Sequence, residues 1–354
     1  MVHRDAVSAL ELPQLVHLGD NLYAASFGLM KLLPARFILD RAREAGRLEP
    51  GSTLVETTSG TFGLALAMLC ALRGYRLILV SDPAVDPPFA RRLRELGACL
   101  DIVEKPAPAG GYQQARLDRL AEHLEENPEA FWPSQYDNVH NAGAYAPVAE
   151  QILEALGRVD CLVGTVGSGG SVCGTAHYLR LPFEEMTVVG IDTHGSVLFG
   201  QPEGKRLLRG LGNSLMPKNV DHALFDEVHW VSAAEAFHAT RQLHRRHVLF
   251  KGPTSGAAYM VARHWAQRHP SARVVALLPD DGHRYQSTVF DDEWLQAQGV
   301  YLAGLPEDPV LVRHPADAGP GWCWLQWGRR RYEDVVSGPY RVGHEPGVAR
   351  AAQS

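Results

Sequence analysis

Lysine is scarce in this chain. Only Lys31, Lys105, Lys205, Lys218 and Lys251 stand among 34 basic residues, so the one lysine of the first hundred positions needs a reason. Cysteine is scarce too: Cys70, Cys99, Cys161, Cys173 and Cys323 are odd in number, scattered, and never spaced as CxxC. That excludes a disulfide framework and reads as reduced thiols in the cytoplasm. No apolar run approaches a membrane span, and the N-terminal MVHRDAVSALELPQL has no apolar signal core. A basic excess is missing as well; the net charge of −6 argues against nucleic acid as a partner. Internal repeats and low-complexity linkers are absent. What remains, 45% hydrophobic and 21% charged over 354 residues, is enough for one large or two modest globular domains.

Short β-branched runs alternate with helical ones along most of the chain. Strands are expected at STLVE (52–56), RLILV (76–80) and CLDIV (99–103), with helices at 63–74 and 87–97 beside them. After a helical, turn-rich stretch the pattern resumes with CLVGTV (161–166), MTVVGID (186–192), EVHWVS (227–232) and RVVALLP (273–279). Helices are expected at 171–180, 233–246 and 255–268. Such alternation predicts parallel sheets covered on both faces, and its two batches predict two α/β domains with a cleft between them. Beyond about residue 300, proline, glycine and three tryptophans (Trp322, Trp324, Trp327) mark an appendage.

Two polar loops follow strands, where open α/β sheets bind ligands. ETTSGTFG (56–63) offers hydroxyls at Thr57, Thr58, Ser59 and Thr61 ahead of a helix, more than one N-cap needs, and suits a carboxylate. GTVGSGGSVCG (164–174) lets glycine backbone wrap an anion, with Ser168 and Ser171 as added donors. It ends without the GK[ST] of a nucleotide-triphosphate loop, and its spacing is poor for a dinucleotide fingerprint. Lys31, amid FGLMKLLPARFIL (27–39), either snorkels to solvent or is desolvated into a usable nucleophile or base. A phosphate cradle, a carboxylate cradle and a desolvated lysine together call for a ligand bearing phosphate and carbonyl. Pyridoxal phosphate with an amino-acid substrate meets all three needs.

Six motifs in order over residues 10 to 290 resemble the fold-type II pyridoxal-phosphate enzymes of the cysteine synthase and cystathionine β-synthase family. LVETTSGTFGLALAMLCALRGYRLILV resembles the substrate loop and its helix, PSQYDNVHNAGAY the glutamine-containing cleft loop, and GTVGSGGSVCG the phosphate loop. RGLGNS resembles the mobile glycine segment, FKGPTSGAA the segment meeting the pyridine nitrogen, and ALLPDDGHRYQST the strand and turn that follow. The resemblance implies two open, twisted α/β domains, tryptophan synthase β-like, with the active site in the cleft. Residues 1–20 plus 146–299 would form the larger, cofactor-binding domain. Residues 21–145 would form a smaller, mobile one, and 300–354 a C-terminal extension.

Carried over by residue, Lys31 would hold the cofactor as a Schiff base and move the Cα proton. Gly167, Ser168, Gly169, Gly170 and Ser171 would hold the phosphate. Thr254 would face the pyridine nitrogen, and Thr61 stands where the family's asparagine meets the cofactor. Thr58, Ser59, Gly60 and Thr61, with Gln135, would take the substrate carboxylate; Gly210 and Gly212 would flank the bound amino acid. The implied reaction is β-replacement on an activated serine (O-acetylserine or O-phosphoserine) through an aminoacrylate, giving cysteine or a related β-substituted alanine in a cytoplasmic homodimer. Alternatives are β-elimination or deamination, and a diaminopropionate-precursor synthase using an amine nucleophile. Threonine at 61 and phenylalanine at 62 depart from the family's Asn-Thr and point to a specialised branch. A silent relative that only binds an amino acid would have lost Lys31.

Rival motifs are weaker. HRRH (244–247) and VARHWAQRH (261–269) lack an HExxH or acidic partner and read as solvated helix faces, so no metal is expected. GRRRYEDV (328–335) reads as surface or an oligomer contact. Asp280 and Asp281 read as caps of the turn after a strand.

Overall fold

The computed structural model describes residues 2–336 apart from Ser59, Ala109 and Arg209. Its strands are β1 (Gln14–Gly19), β2 (Leu22–Ser26), β3 (Thr53–Thr57), β4 (Arg76–Ser81), β5 (Ala98–Ile102), β6 (Cys161–Thr165), β7 (Thr187–Asp192), β8 (Glu227–Trp230), β9 (Val274–Leu278), β10 (Val310–Leu311) and β11 (Cys323–Gln326). The larger sheet runs β1-β2-β9-β6-β7-β8-β11-β10, and the smaller runs β3-β4-β5. Strands β2, β9, β6, β7 and β8 are mutually parallel, as are β3, β4 and β5; β1 and β11 join antiparallel.

The central strands CLVGT and VVALL are buried at every residue, because helices cover both faces of the larger sheet. Helices Ala146–Leu156 and Gly170–Arg180 pack together in the apolar cluster on one side. Ala233–His247 and Pro253–Arg268 pack together in the other. The smaller sheet carries its own cluster, in which Leu32, Ala35, Ile38 and Leu39 of helix Leu32–Glu44 meet Phe62, Leu66 and Leu69 of helix Thr61–Arg73.

Two expectations change. Strand β2, expected in the smaller domain, pairs with β9 from Leu22↔Val274 to Ser26↔Leu278, because Ala24 and Ala25 fill the core of the larger sheet. A boundary at residue 21 therefore cuts a hairpin; the chain crosses over only after Ser26. The residues beyond 300 do more than lie against the surface. Strand β11 hydrogen-bonds along β8, burying Trp322 and Trp327 and leaving Trp324 half-buried. The run at 328–335 belongs to this seal: Arg329 donates to Asp226 at 2.8 Å, beside Arg180 at 2.6 Å. No helix among the described residues is long and apolar enough to cross a membrane.

The histidines are solvated only in part: His244, His247 and His264 are half-buried, while His269 stays exposed at the end of its helix. His244 packs against Phe250 and Phe290, His264 against Trp322, and His269 stacks 3.8 Å from Trp265. Aromatic rings on loops beside the two helices cover His244 and His264, whereas His269 stacks on its own helix.

Candidate active site

The segments that follow β2, β3, β4, β6 and β9 converge on one cleft of about 390 Å³. Lys31 stands on the first. Its neighbours explain the apolar run: Phe27, Met30 and Leu33 enter the core of the larger sheet, while Leu29 and Leu32 enter that of the smaller. The turn is pinned from below. Phe27 N donates to Leu278 O and Met30 N to Pro279 O, each at 2.9 Å. The buried Lys251 ammonium donates to Phe27 O at 2.6 Å and to Asp281 at 2.8 Å. Lys31 Nζ donates to Ser168 Oγ at 3.1 Å, and desolvation lowers its pKa to about 8. Desolvated and facing a polar loop, it resolves the choice left open by the sequence.

That loop joins β6 to helix Gly170–Arg180, which begins without a side-chain cap, so its leading N–H groups are available to an anion. Ser168 and Ser171 are nearly buried in the cleft wall. Gly169 holds φ +85°, and a Cβ there would stand 2.6 Å from Asn219 O; one on Gly170 would stand 2.1 Å from Asn141 Oδ1. Glycine is required at both. Asn141 and Asn219 each donate to the Gln135 carbonyl, so the phosphate loop and the glutamine loop are packed as one unit. Gly167 lies against Gly210, whose Cβ position is 3.5 Å from Thr254 Cγ2. Thr254 is buried in the first turn of helix Pro253–Arg268. Gly210 and Gly212 both hold positive φ, and Gly212 N donates to Val166 O.

Across the cleft, Thr58 Oγ1 accepts from Gly60 N at 3.0 Å, and Gly60 leads into helix Thr61–Arg73, again without a side-chain cap. Ser59, expected here, lies outside the described residues. Thr61 and Gln135 line the same cleft; Phe62 lines it while 2% exposed in the smaller core. A phosphate cradle, an amine and a second uncapped helix therefore face one space, and these residues fit pyridoxal phosphate. Bound there, the cofactor supplies the electron sink that weakens bonds at the substrate's Cα and Cβ.

Four functional candidates escaped the sequence. Glu56, fully buried, accepts from Thr57 N, Trp132 Nε1 and Gln135 N, and burial raises its pKa to about 7. Arg116 faces Asp82 at 3.4 Å in the cleft wall, both buried, and its Nε has no hydrogen-bond partner. Tyr136 lines the cleft beside them. Asp280 is no turn cap: it is buried, accepts from Tyr285 OH at 2.8 Å, and is raised to about 6 by desolvation. Asp281 makes no side-chain cap either, because Lys251 engages it.

The chain belongs to the family described as pyridoxal-phosphate dependent enzymes, which matches residues 19–280. It is 35% identical to N-(2-amino-2-carboxyethyl)-L-glutamate synthase of Ralstonia nicotianae, over 85% of this chain and 92% of that one. It is 37% identical to the synthase of the same description from Cupriavidus metallidurans, over 80% and 87%. The O-acetylserine-dependent cystathionine β-synthase of Helicobacter pylori superposes with a TM-score of 0.74 at 25% identity, covering 81% of this chain and 98% of that one. The fold is thus that of the fold-type II pyridoxal-phosphate enzymes, and the reaction class is β-replacement on a serine-derived amino acid.

Proposed function

We propose that the chain joins the three-carbon unit of O-phospho-L-serine to the amino group of L-glutamate, giving N-(2-amino-2-carboxyethyl)-L-glutamate. A C–O bond to the leaving phosphate breaks, a C–N bond to the glutamate amine forms, and the amine gives up one proton. The product is the one named for the two relatives, which this chain matches over nearly their whole length.

In this reading Lys31 Nζ holds the cofactor, then takes the substrate's Cα proton and returns it; a pKa near 8 suits both directions. Ser168, Ser171 and the backbone of Gly167, Gly169 and Gly170 hold the cofactor phosphate. Thr254 would offer the pyridine nitrogen a neutral hydroxyl, which would leave the ring a weaker electron sink and suit loss of a β-leaving group. The backbone of Gly60 and Thr61, with Thr58, Ser59 and Gln135, receives the substrate carboxylate, and Gly210 and Gly212 flank it. Arg116 supports the choice of donor: a buried guanidinium whose Nε is unpartnered fits a departing phosphate dianion far better than acetate. The enzyme acts as a cytoplasmic homodimer; five free cysteines, four of them buried, support a reducing compartment.

The test is a matrix of donors (O-phospho-L-serine, O-acetyl-L-serine) against amine and thiol acceptors, read by product mass. Phosphoserine with glutamate should dominate. Arg116→Met should lose phosphoserine use at least tenfold and spare acetylserine. Preference for acetylserine, with Arg116→Met silent, would overturn the donor assignment.

A further inference from the structure

Among the described residues, three cationic side chains line the cleft: Lys31, Arg116 and Arg284. The proposed reaction occupies the first two. Arg284 sits on the turn after β9, on the larger-sheet side, and reaches across to the smaller-sheet side. Its guanidinium lies 4.1 Å over the Phe89 ring, and its Nε is 3.5 Å from Asp86. Asp86 also lines the cleft and caps helix Pro87–Glu95 by accepting from Phe89 N through Oδ1. These groups stand in the more open part of the wall: the Asp86 side chain is 41% exposed and Leu207 39%, against 5% for Ser168. The lining also includes the apolar Leu208, Phe237, Val289 and Trp294, together with Asp280, Tyr285 and Thr288 on the segment that carries Arg284.

Resting on the glutamate reading above, we infer that Arg284 receives the side-chain carboxylate of the acceptor amino acid and makes the enzyme selective for a dicarboxylic acceptor. The acceptor arrives after the donor is bound, so it takes up the open part of the cleft. There it meets one cation held at an angle by Phe89 and apolar side chains that suit a short methylene chain. A 3.5 Å contact to Asp86 is a loose ion pair that a carboxylate with bidentate geometry can displace. Asp86 thus acts as a place-holder: it keeps the guanidinium oriented when no acceptor is present and competes with the acceptor for it. Monocarboxylic acceptors leave the pair intact and gain nothing from it.

The inference makes opposite predictions for the two partners. In the cofactor-loaded enzyme, Arg284→Gln should raise KM for L-glutamate at least tenfold and erase the preference for L-glutamate over L-glutamine. Asp86→Asn keeps the helix cap through Oδ1, removes the competing charge, and should lower KM for L-glutamate. Phosphate release from O-phospho-L-serine without acceptor should be unchanged in both. If the pair only ties the two sides of the cleft together, both variants shift KM the same way and for every acceptor, which overturns the inference. If the unaltered enzyme does not use L-glutamate at all, it is the functional reading that fails, before any variant is made.

Discussion

Lys31 Nζ and Ser168 Oγ are 3.1 Å apart, although 137 positions separate them in the chain. The contact ties the desolvated amine to the loop proposed to hold the cofactor phosphate, so the two proposed anchor points already touch before a cofactor arrives. Lys31→Ala should abolish turnover and leave apoprotein that retains cofactor poorly after gel filtration. Ser168→Ala should weaken cofactor affinity by about 1.5–3 kcal/mol, the worth of a hydrogen bond to a charged group, read by equilibrium dialysis.

The lowered pKa of Lys31 has a definite sign. Only the neutral amine captures an aldehyde, so capture of pyridoxal phosphate by apoprotein should speed up with pH to a plateau, with a midpoint near 8 and not 10.5. Between about 8 and 10.5 the unfolded chain holds a proton on this amine that the folded chain lacks. The group's contribution to apoprotein stability therefore rises with pH through that window, and its penalty is complete below it. Stopped-flow absorbance and pH-dependent denaturation measure the two effects.

Phe62 is a core residue as well as a wall of the cleft. Phe62→Thr should cost about 3 kcal/mol by denaturant unfolding, as expected for removing a buried ring. Donor KM should change less than stability does.

Glu56 joins the strand before the substrate loop to the glutamine loop. In Glu56→Gln one oxygen can still accept from Thr57 N and Trp132 Nε1, but the amide nitrogen would oppose Gln135 N–H. Donor KM should rise severalfold. Stability should also lose part of its pH dependence: with a folded pKa near 7 against 4.5 unfolded, Glu56 contributes most below 4.5 and progressively less as pH climbs to 7.

Lys251→Met leaves the Phe27 carbonyl without its ammonium donor directly beneath the Lys31 turn. Chemical denaturation should show a loss of about 2 kcal/mol. The near-visible band of the loaded enzyme should shift, while Lys251→Arg should fail to restore it because the pocket admits a point charge and not a fork.

Much of this was legible in the sequence, for physical reasons. Strands β6 and β9 announced themselves as apolar runs because both their faces are covered. Lys31 stood out because a lone lysine among Phe27, Leu29, Met30, Leu32 and Leu33 has few explanations. The hairpin β1–β2 did not show: QLVHLG is half exposed, and its pairing partner β9 lies far along the chain. Arg116 did not show either. It shares helix Gly111–Glu126 with Arg119, and only tertiary packing decides that the first turns into the cleft while the second meets Asp101. His244 and His264 misled for the same reason, since local sequence does not say which helix face will find a neighbour.

The strand order sets a timetable for biosynthesis. Strand β2, which leads into the Lys31 turn, pairs with the earlier β1 on one edge, but its partner on the other edge, β9, is made about 250 residues later. Until the ribosome has delivered residues 274–278, the first hairpin has no parallel neighbour and the lysine turn has nothing beneath it. Long-range parallel pairing of this kind is slow, and it exposes unpaired edges while it waits. The smaller sheet, complete once residue 102 emerges, can fold early; Lys31, proposed to hold the cofactor, cannot be positioned until almost the end. Cofactor capture is therefore the closing event of this chain's maturation, and nascent fragments ending before β9 should neither bind it nor stay in solution without help.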